Sequence, residues 1–324
     1  MSVLVVGGAG FVGLNVAEQL LSAGRAVRIL DRGPPPDAAL AAFARLPGEL
    51  SILTGDVRDA AAVGEAVAGV RDVVFGAAIT SAPEREATEP STILEVNLNA
   101  FLAVLDAARA AGVRRVVNLS SAGAYGRAAF LPGIVTEERP VDPESLYSLT
   151  KFATERVGAR MAALWGMDVV SVRLSAVFGR WERRTGVRDT PTPQFQIMEA
   201  AAAGASEVLL PGDIERDWIY GPDAASAIVA VLDAGRLTHG LYNVSTGSTF
   251  GVVAWGEAFA AARGGLCVRR AAAGEGATIG FVTPPPRSRL SVERLFADTA
   301  FRPAFGLDAS ARDAAAWMAA TAPA

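Results

Sequence analysis

The chain carries 324 residues, of which 51% are hydrophobic, 20% charged and 7% aromatic. Such a composition excludes a disordered or fibrous chain and supplies a large core without disulfide or metal staples. The 30 basic and 34 acidic residues leave a formal net charge of -4, without the basic excess that tracks a phosphate backbone, so nucleic acid is not expected as a partner.

In chain order, short apolar runs predict strands near 2–6, 26–30, 50–53, 72–76, 114–119 and 168–173. Longer periodic segments near 11–23, 37–46, 59–68, 91–111 and 144–165 predict the intervening helices. This alternation predicts an α/β fold: a doubly wound parallel sheet, with right-handed crossovers placing helices on both faces. Asp142 before Pro143 and Glu89 before Pro90 read as helix starts, where the missing proline N–H costs least, and Gly24 and Gly112 read as helix ends. Past residue 175 the alternation loosens. A helix is expected at 193–204, strands at 207–210 and 241–244 with a helix at 223–234 between them, and a loop at Pro284-Pro285-Pro286. A closing helix is expected from Ala309 to Met318.

Cys267 is the only cysteine and His239 the only histidine. An intrachain disulfide and a Cys/His zinc site are therefore excluded, as is a hydrolase triad with several candidate bases, and no metal is expected. His239 lies in Thr238-His239-Gly240, which reads as a surface turn. Met1 runs straight into the strand-like Ser2-Val3-Leu4-Val5-Val6, and no apolar run approaches the ~18 residues of a membrane span. The expectation is a cytoplasmic chain with no membrane partner.

Gly7-Gly8-Ala9-Gly10-Phe11-Val12-Gly13 follows the first strand and opens the first helix. Glycines at this spacing permit a tight turn, let backbone N–H groups approach a pyrophosphate and let helix pack on strand, while the helix N-terminus favours the negative charge. The second strand ends in Asp31, placed to accept from both hydroxyls of an adenine ribose and to repel a 2'-phosphate, which favours NAD over NADP. Arg32 beside it reads the other way, because a guanidinium there pairs with that phosphate. Asp56-Val57 after the third strand and Ala77-Ala78 after the fourth fall at the sheet edge that lines a cofactor crevice. Asp56 is expected to accept from the adenine amino group, its alternative being a solvated loop carboxylate.

All 30 basic residues but Lys151 are arginine. One retained ammonium suggests chemistry that a guanidinium cannot do. In Tyr147-Ser148-Leu149-Thr150-Lys151 it follows a tyrosine by four residues on a predicted helix, so both project from one face. An ammonium there is expected to lower the tyrosine pKa towards working pH and make its oxygen a general base. Ser121, carried out of the fifth strand in Asn118-Leu119-Ser120-Ser121, is expected to hold the substrate oxygen, while Ser120 reads as a cofactor contact or a turn residue.

Together these residues resemble the extended short-chain dehydrogenase/reductase superfamily, in its NAD-dependent epimerase/dehydratase family. The resemblance spans nearly the whole chain, including Asn97, Tyr125-Gly126, Arg173-Leu174-Ser175-Ala176-Val177-Phe178-Gly179, Arg216-Asp217-Trp218-Ile219-Tyr220, Asp223 and Tyr242-Asn243-Val244. It implies a Rossmann domain over 1–175, to which 217–247 returns, and a smaller interleaved substrate lobe over 176–216 and 248–324. It also implies NAD as cofactor, with Phe11, Val12 and Asn97 beside it, and Ser121, Tyr147 and Lys151 as catalytic residues. A homodimer through the helices near 91–111 and 144–165 is implied as well.

Ala122 and Gly123 stand where the family's dehydratases resemble one another in an acidic pair, so dehydration is not expected. Epimerisation and net dehydrogenation share their first step and both stay open, as does a catalytically silent dinucleotide sensor, against which the Ser121, Tyr147 and Lys151 set argues. The substrate is expected to be a sugar or nucleotide sugar, or for a dehydrogenase a free sugar, sugar acid or other small alcohol. Arg216 matches a family arginine that contacts a nucleotide diphosphate, whereas Ala176 and Arg180 replace the expected asparagine and proline. Arg180, in the arginine-dense stretch 180–189, and Thr80 and Ser81 after the fourth strand are further substrate candidates. Arg287 and Arg289 are placed to reach the same pocket.

Overall fold

The computed structural model describes residues 2–189, 191–283 and 286–321. Two prolines of the expected loop, Pro284 and Pro285, lie outside the described residues. The first half winds through β1 (Ser2–Val6), α1 (Phe11–Ser22), β2 (Ala26–Asp31), α2 (Asp37–Phe43), β3 (Leu50–Thr54), α3 (Ala60–Val67) and β4 (Asp72–Phe75). It continues through α4 (Pro83–Thr88), α5 (Pro90–Leu94), a wide π turn (Glu95–Asn99), α6 (Ala100–Ala110), β5 (Arg115–Ser121), α7 (Leu146–Trp165) and β6 (Asp168–Leu174). The second half adds β7 (Val177–Phe178), α8 (Pro193–Ala202), β8 (Glu207–Leu210), β9 (Glu215–Arg216), β10 (Ile219–Tyr220), α9 (Gly221–Asp233) and β11 (Leu241–Val244). It ends with β12 (Phe250–Gly251), α10 (Val252–Arg263), β13 (Cys267–Arg270), α11 (Glu293–Asp298) and α12 (Leu307–Thr321).

Seven parallel strands form one sheet in the order β11-β6-β5-β4-β1-β2-β3. The order reverses between β1 and β4, and at such a switch point the outgoing loops part to leave a crevice. Val3, Leu4, Val5 and Val6 are all fully buried, because β1 is covered on both faces and has no polar side to alternate with. Each such side chain contributes roughly 1.5–3 kcal/mol of burial, which is why the apolar run without alternation takes the sheet centre. α1 and α9 pack on one face, and α3, α6 and α7 on the other. A separate core around Trp255, Phe178, Ile197 and Leu210 joins α8, α10 and α12 in the second lobe.

Two expectations need correction. α7 begins at Leu146, not at Pro143: the Ser145 hydroxyl accepts from Ser148 N and caps the helix, while the Asp142 backbone is drawn away to pair with Gly126. The stretch Pro90–Ala110 is long and apolar enough to cross a membrane, contrary to the reading of apolar runs above. Here its inner face, with Ile93, Phe101 and Val104, is buried against the neighbouring elements of the fold.

Candidate active site

The carboxyl ends of β1, β2, β4, β5 and β6 open into two adjoining cavities of about 110 and about 430 Å³ that share Gly7, Gly10, Gly76, Ala78 and Val187. Larger grooves lie elsewhere, including one of about 720 Å³ beside α8 and α12. Of these cavities the 430 Å³ one is lined by Ser121, Tyr147 and Lys151 together, so chemistry and not volume locates the site.

The turn after β1 admits glycine and little else. Gly7 has φ 75°, and a Cβ there would lie 2.7 Å from the Ala77 backbone nitrogen, while one on Gly13 would collide with the Gly7 carbonyl. Gly10 is the N-cap of α1 and provides no side-chain cap, so the helix start leaves backbone N–H groups unsatisfied beside the larger cavity, which Gly10, Phe11, Val12 and Gly13 line. Asp31 ends β2 at the rim of the smaller cavity, where its carboxylate accepts from Ala9 N at 3.0 Å and from Arg32 N at 2.8 Å. Burial pushes its pKa up, against the pull of those N–H groups and of Arg32 and Arg183. Asp56, Val57, Ala77 and Ala78 line the same cavity. Asp56 is paired with Arg58 at 2.7 Å, whose hydrogen bonds hold its pKa down at about 2. An uncapped helix start, a turn closed to side chains and a carboxylate at the end of β2 fit a dinucleotide's pyrophosphate and ribose.

Tyr147 sits in the first turn of α7, where the neighbouring Ser121 and Thr80 hydroxyls and the Arg188 charge pull the pKa of its phenol down. Lys151, one turn further on, is 3% exposed; its Nζ donates to Leu119 O at 2.6 Å and stands 5.8 Å from the Tyr147 ring centre. Burial lowers the lysine pKa to about 8, partly opposed by Glu155. The expected depression of the tyrosine pKa is not found. Burial raises it, and the groups pulling it down are Ser121, Arg188 and Thr80, not the lysine.

Two expected contacts point elsewhere. Arg180 turns away from the cavity to a bidentate pair with Asp313, and Ser81 donates to Glu86 at 3.0 Å. Neither lines either cavity. Asn97 is fully buried behind the wall, its amide bracketing Ile79 N and O and donating to Thr150, so it fixes the segment after β4. Ser120 reaches the cavity edge while donating to Glu155.

Arg216 and Arg287 both line the reaction cavity, and the Nε of each is buried without a hydrogen-bond partner. Arg287 is held by the fully buried Asp217 at 2.8 Å. Arg216 has its pKa lowered to about 10, first by burial and then by repulsion from Arg287. Arg289 stays exposed, donating to Gly247 O. Arg183 and Arg188 also line the cavity. Sequence reasoning marked their stretch but singled out Arg180, since nothing local reveals which way each arginine turns.

The family model described as NAD dependent epimerase/dehydratase family matches residues 3–245. The UDP-glucose 4-epimerase of Streptomyces lividans is 30% identical over 263 residues, 77% of this chain and 77% of its own. That of Corynebacterium glutamicum is 29% identical over 262 residues, 78% of this chain and 77% of its own. The solved Thermus thermophilus UDP-glucose 4-epimerase, a complex with NAD, superposes with a TM-score of 0.75 at 28% identity, covering 98% of both chains. The match over residues 3–245 and the glycine turn, Asp31 and Tyr147–Lys151 brought to one cleft lead to the same place: the chain belongs to the NAD dependent epimerase/dehydratase family, NAD-dependent enzymes of the extended short-chain dehydrogenase/reductase type.

Proposed function

We propose that this protein is an NAD-dependent epimerase that inverts a secondary hydroxyl on the sugar of a nucleotide sugar. The observation that carries the reading is the Arg216–Arg287 pair. Two guanidinium groups line the same cavity as Tyr147, Arg287 paired with Asp217 and Arg216 without an ion pair among the described residues, so the two leave a net positive charge suited to a dianion. A nucleotide diphosphate supplies that charge and leaves its sugar to reach towards Ser121 and Tyr147.

The roles of the site residues follow from their chemistry. Bound NAD supplies the hydride acceptor and donor. Tyr147 Oη takes the hydroxyl proton, Ser121 Oγ holds the substrate oxygen beside it, and the Thr80 hydroxyl helps to stabilise the phenolate. Arg188 and the Ser121 and Thr80 hydroxyls favour the phenolate, while Lys151, held by the Leu119 carbonyl, stands one turn further along the same helix. Ala122 is buried and Gly123 has no side chain, so no acid and base pair is present to expel water from the ketone. That favours epimerisation over dehydration.

The protein is proposed to act as a homodimer. Leu94 and Leu102 on the Pro90–Ala110 stretch and Leu149 and Leu164 on the adjacent α7 expose apolar surface at 41–56%, which a second copy would cover; sedimentation velocity tests this. A cytoplasmic setting is proposed as well, in keeping with a chain that has a single cysteine. Within the chain, 176–216 and 248–324 are proposed as the substrate lobe.

Ala176 in the cavity wall favours a second reading, a net dehydrogenase of a free sugar or sugar acid, because the amide expected there for a phosphate is missing. Thermal unfolding of the NAD-loaded protein with UDP- and dTDP-sugars, free sugars and sugar acids separates the two. Stabilisation by nucleotide sugars is expected, and stabilisation by free sugars or acids alone would overturn the epimerase reading.

A further inference from the structure

Residues 180–189 cross from the second lobe to the mouth of the cofactor cleft, tied down at both ends. At the start, Asn15 Nδ2 donates to Arg180 O at 2.8 Å, and Trp181 Nε1 donates to Glu18 at 2.7 Å. Trp181 has φ 66°, the only non-glycine residue described with a positive value. That strained conformation persists because the indole is wedged edge-on between Phe43 and Trp317. At the far end, Thr80 N donates to Val187 O at 2.8 Å and Asp189 N to Thr80 O at 3.2 Å. Ala82 N donates to the Asp189 carboxylate at 2.9 Å, and Arg85 Nη1 to Gly186 O at 2.7 Å.

Between these anchors Arg183 reaches the glycine turn, where its Nη1 donates to Ala9 O at 2.8 Å. Among the described residues no carboxylate stands within ion-pair distance of this guanidinium, and its other N–H groups have no protein acceptor. A guanidinium carries five such donors. Arg183 lines the cavity together with Gly10, Phe11, Val12 and Gly13, at the uncapped start of α1. Fixed positive charge, spare donors and a helix N-terminus therefore converge on one spot, an arrangement that suits the paired anionic oxygens of a pyrophosphate.

We propose that Arg183 is a pyrophosphate ligand for the dinucleotide, delivered from the second lobe, and that the 183–189 strap must undock from Thr80, Ala82 and Arg85 before cofactor can exchange. The strap then retains the reduced cofactor between the two hydride transfers of an epimerase. The assignment itself rests on NAD use alone and not on the identity of the sugar.

The test measures binding and release of etheno-NAD by the full chain without any sugar, so its outcome is separable from that of the nucleotide-sugar reading. Arg183→Met should weaken etheno-NAD and ADP-ribose by about tenfold or more, the effect of losing one charge-assisted contact, while competition by adenosine stays unchanged. Equal weakening of adenosine, or no weakening at all, would overturn the assignment. Arg183→Lys keeps the charge without the fork and should fall between the two; if the methionine variant fails to fold, unchanged affinity in the lysine variant overturns the proposal instead. Asp189→Ala, which removes the tie to Ala82, should speed release of bound etheno-NAD into excess NAD, and an unchanged release rate would overturn the strap.

Discussion

Lys151 and Glu155 lie one turn apart on α7, both buried, yet the carboxylate is committed to Ser120 and Arg173 and the ammonium to the Leu119 carbonyl. Glu155 thus influences the lysine through its field without bonding to it, and burial remains the larger effect on the lysine pKa. The lysine is kept charged in a place that disfavours charge.

This arrangement has a pH signature. The folded-state pKa is about 8 against 10.5 for the free side chain, so between those values the folded chain holds fewer protons than the unfolded one. Stability from this group is therefore lowest below pH 8 and rises as pH climbs from about 8 towards 10.5. Urea unfolding of the cofactor-free protein should show Lys151→Met more stable than the parent at neutral pH, with the gap narrowing as pH rises. A gap that does not change with pH would contradict the buried ammonium.

Glu155→Gln should be costly, because it leaves the 2% exposed Arg173 with a buried charge and no carboxylate. Breaking such a pair from one side costs about 3–5 kcal/mol. Denaturant midpoints measure this, and a loss below about 1 kcal/mol would mean that Arg173 finds another partner.

Tyr147→Phe removes the oxygen that contacts Ser121 and Thr80 and keeps the ring. Turnover should fall by about 10²–10⁴-fold or more, the usual contribution of a general base, with NAD affinity unchanged. Steady-state kinetics and NAD titration check the pair of outcomes, and full activity would remove Tyr147 from the mechanism.

Arg216→Met relieves a repulsion from Arg287 and a buried Nε without a partner. The ligand-free variant should be more stable by about 1 kcal/mol, the order of one unsatisfied buried donor, and should lose the thermal shift that UDP produces in the parent. An undiminished response to UDP would place the diphosphate elsewhere.

Much of this architecture was legible locally. Apolar runs without alternation marked the buried parallel strands, and the glycine turn, Asp31 and the Tyr147–Lys151 spacing marked one edge of the sheet, where the structure brings them together. Helix starts were less legible. Proline at 143 mimicked an N1 residue, but the Ser145 hydroxyl takes the capping bond from Ser148 N while the Asp142 carboxylate that would cap such a start accepts from Arg127 instead. Asn97 looked like a cofactor contact until the wide turn at Glu95–Asn99 set its amide on Ile79.

Periodicity and spacing are properties of neighbouring residues, and so the sequence by itself determined the sheet, the cofactor turn and the tyrosine–lysine pair. The direction of a long charged side chain is not local. Arg180 and Arg183 are three residues apart and chemically identical, yet one ends on Asp313 and the other on Ala9 O. Only the tertiary structure decided between them, because the left-handed Trp181, pinned by Glu18, Phe43 and Trp317 from distant parts of the chain, turns the backbone between the two.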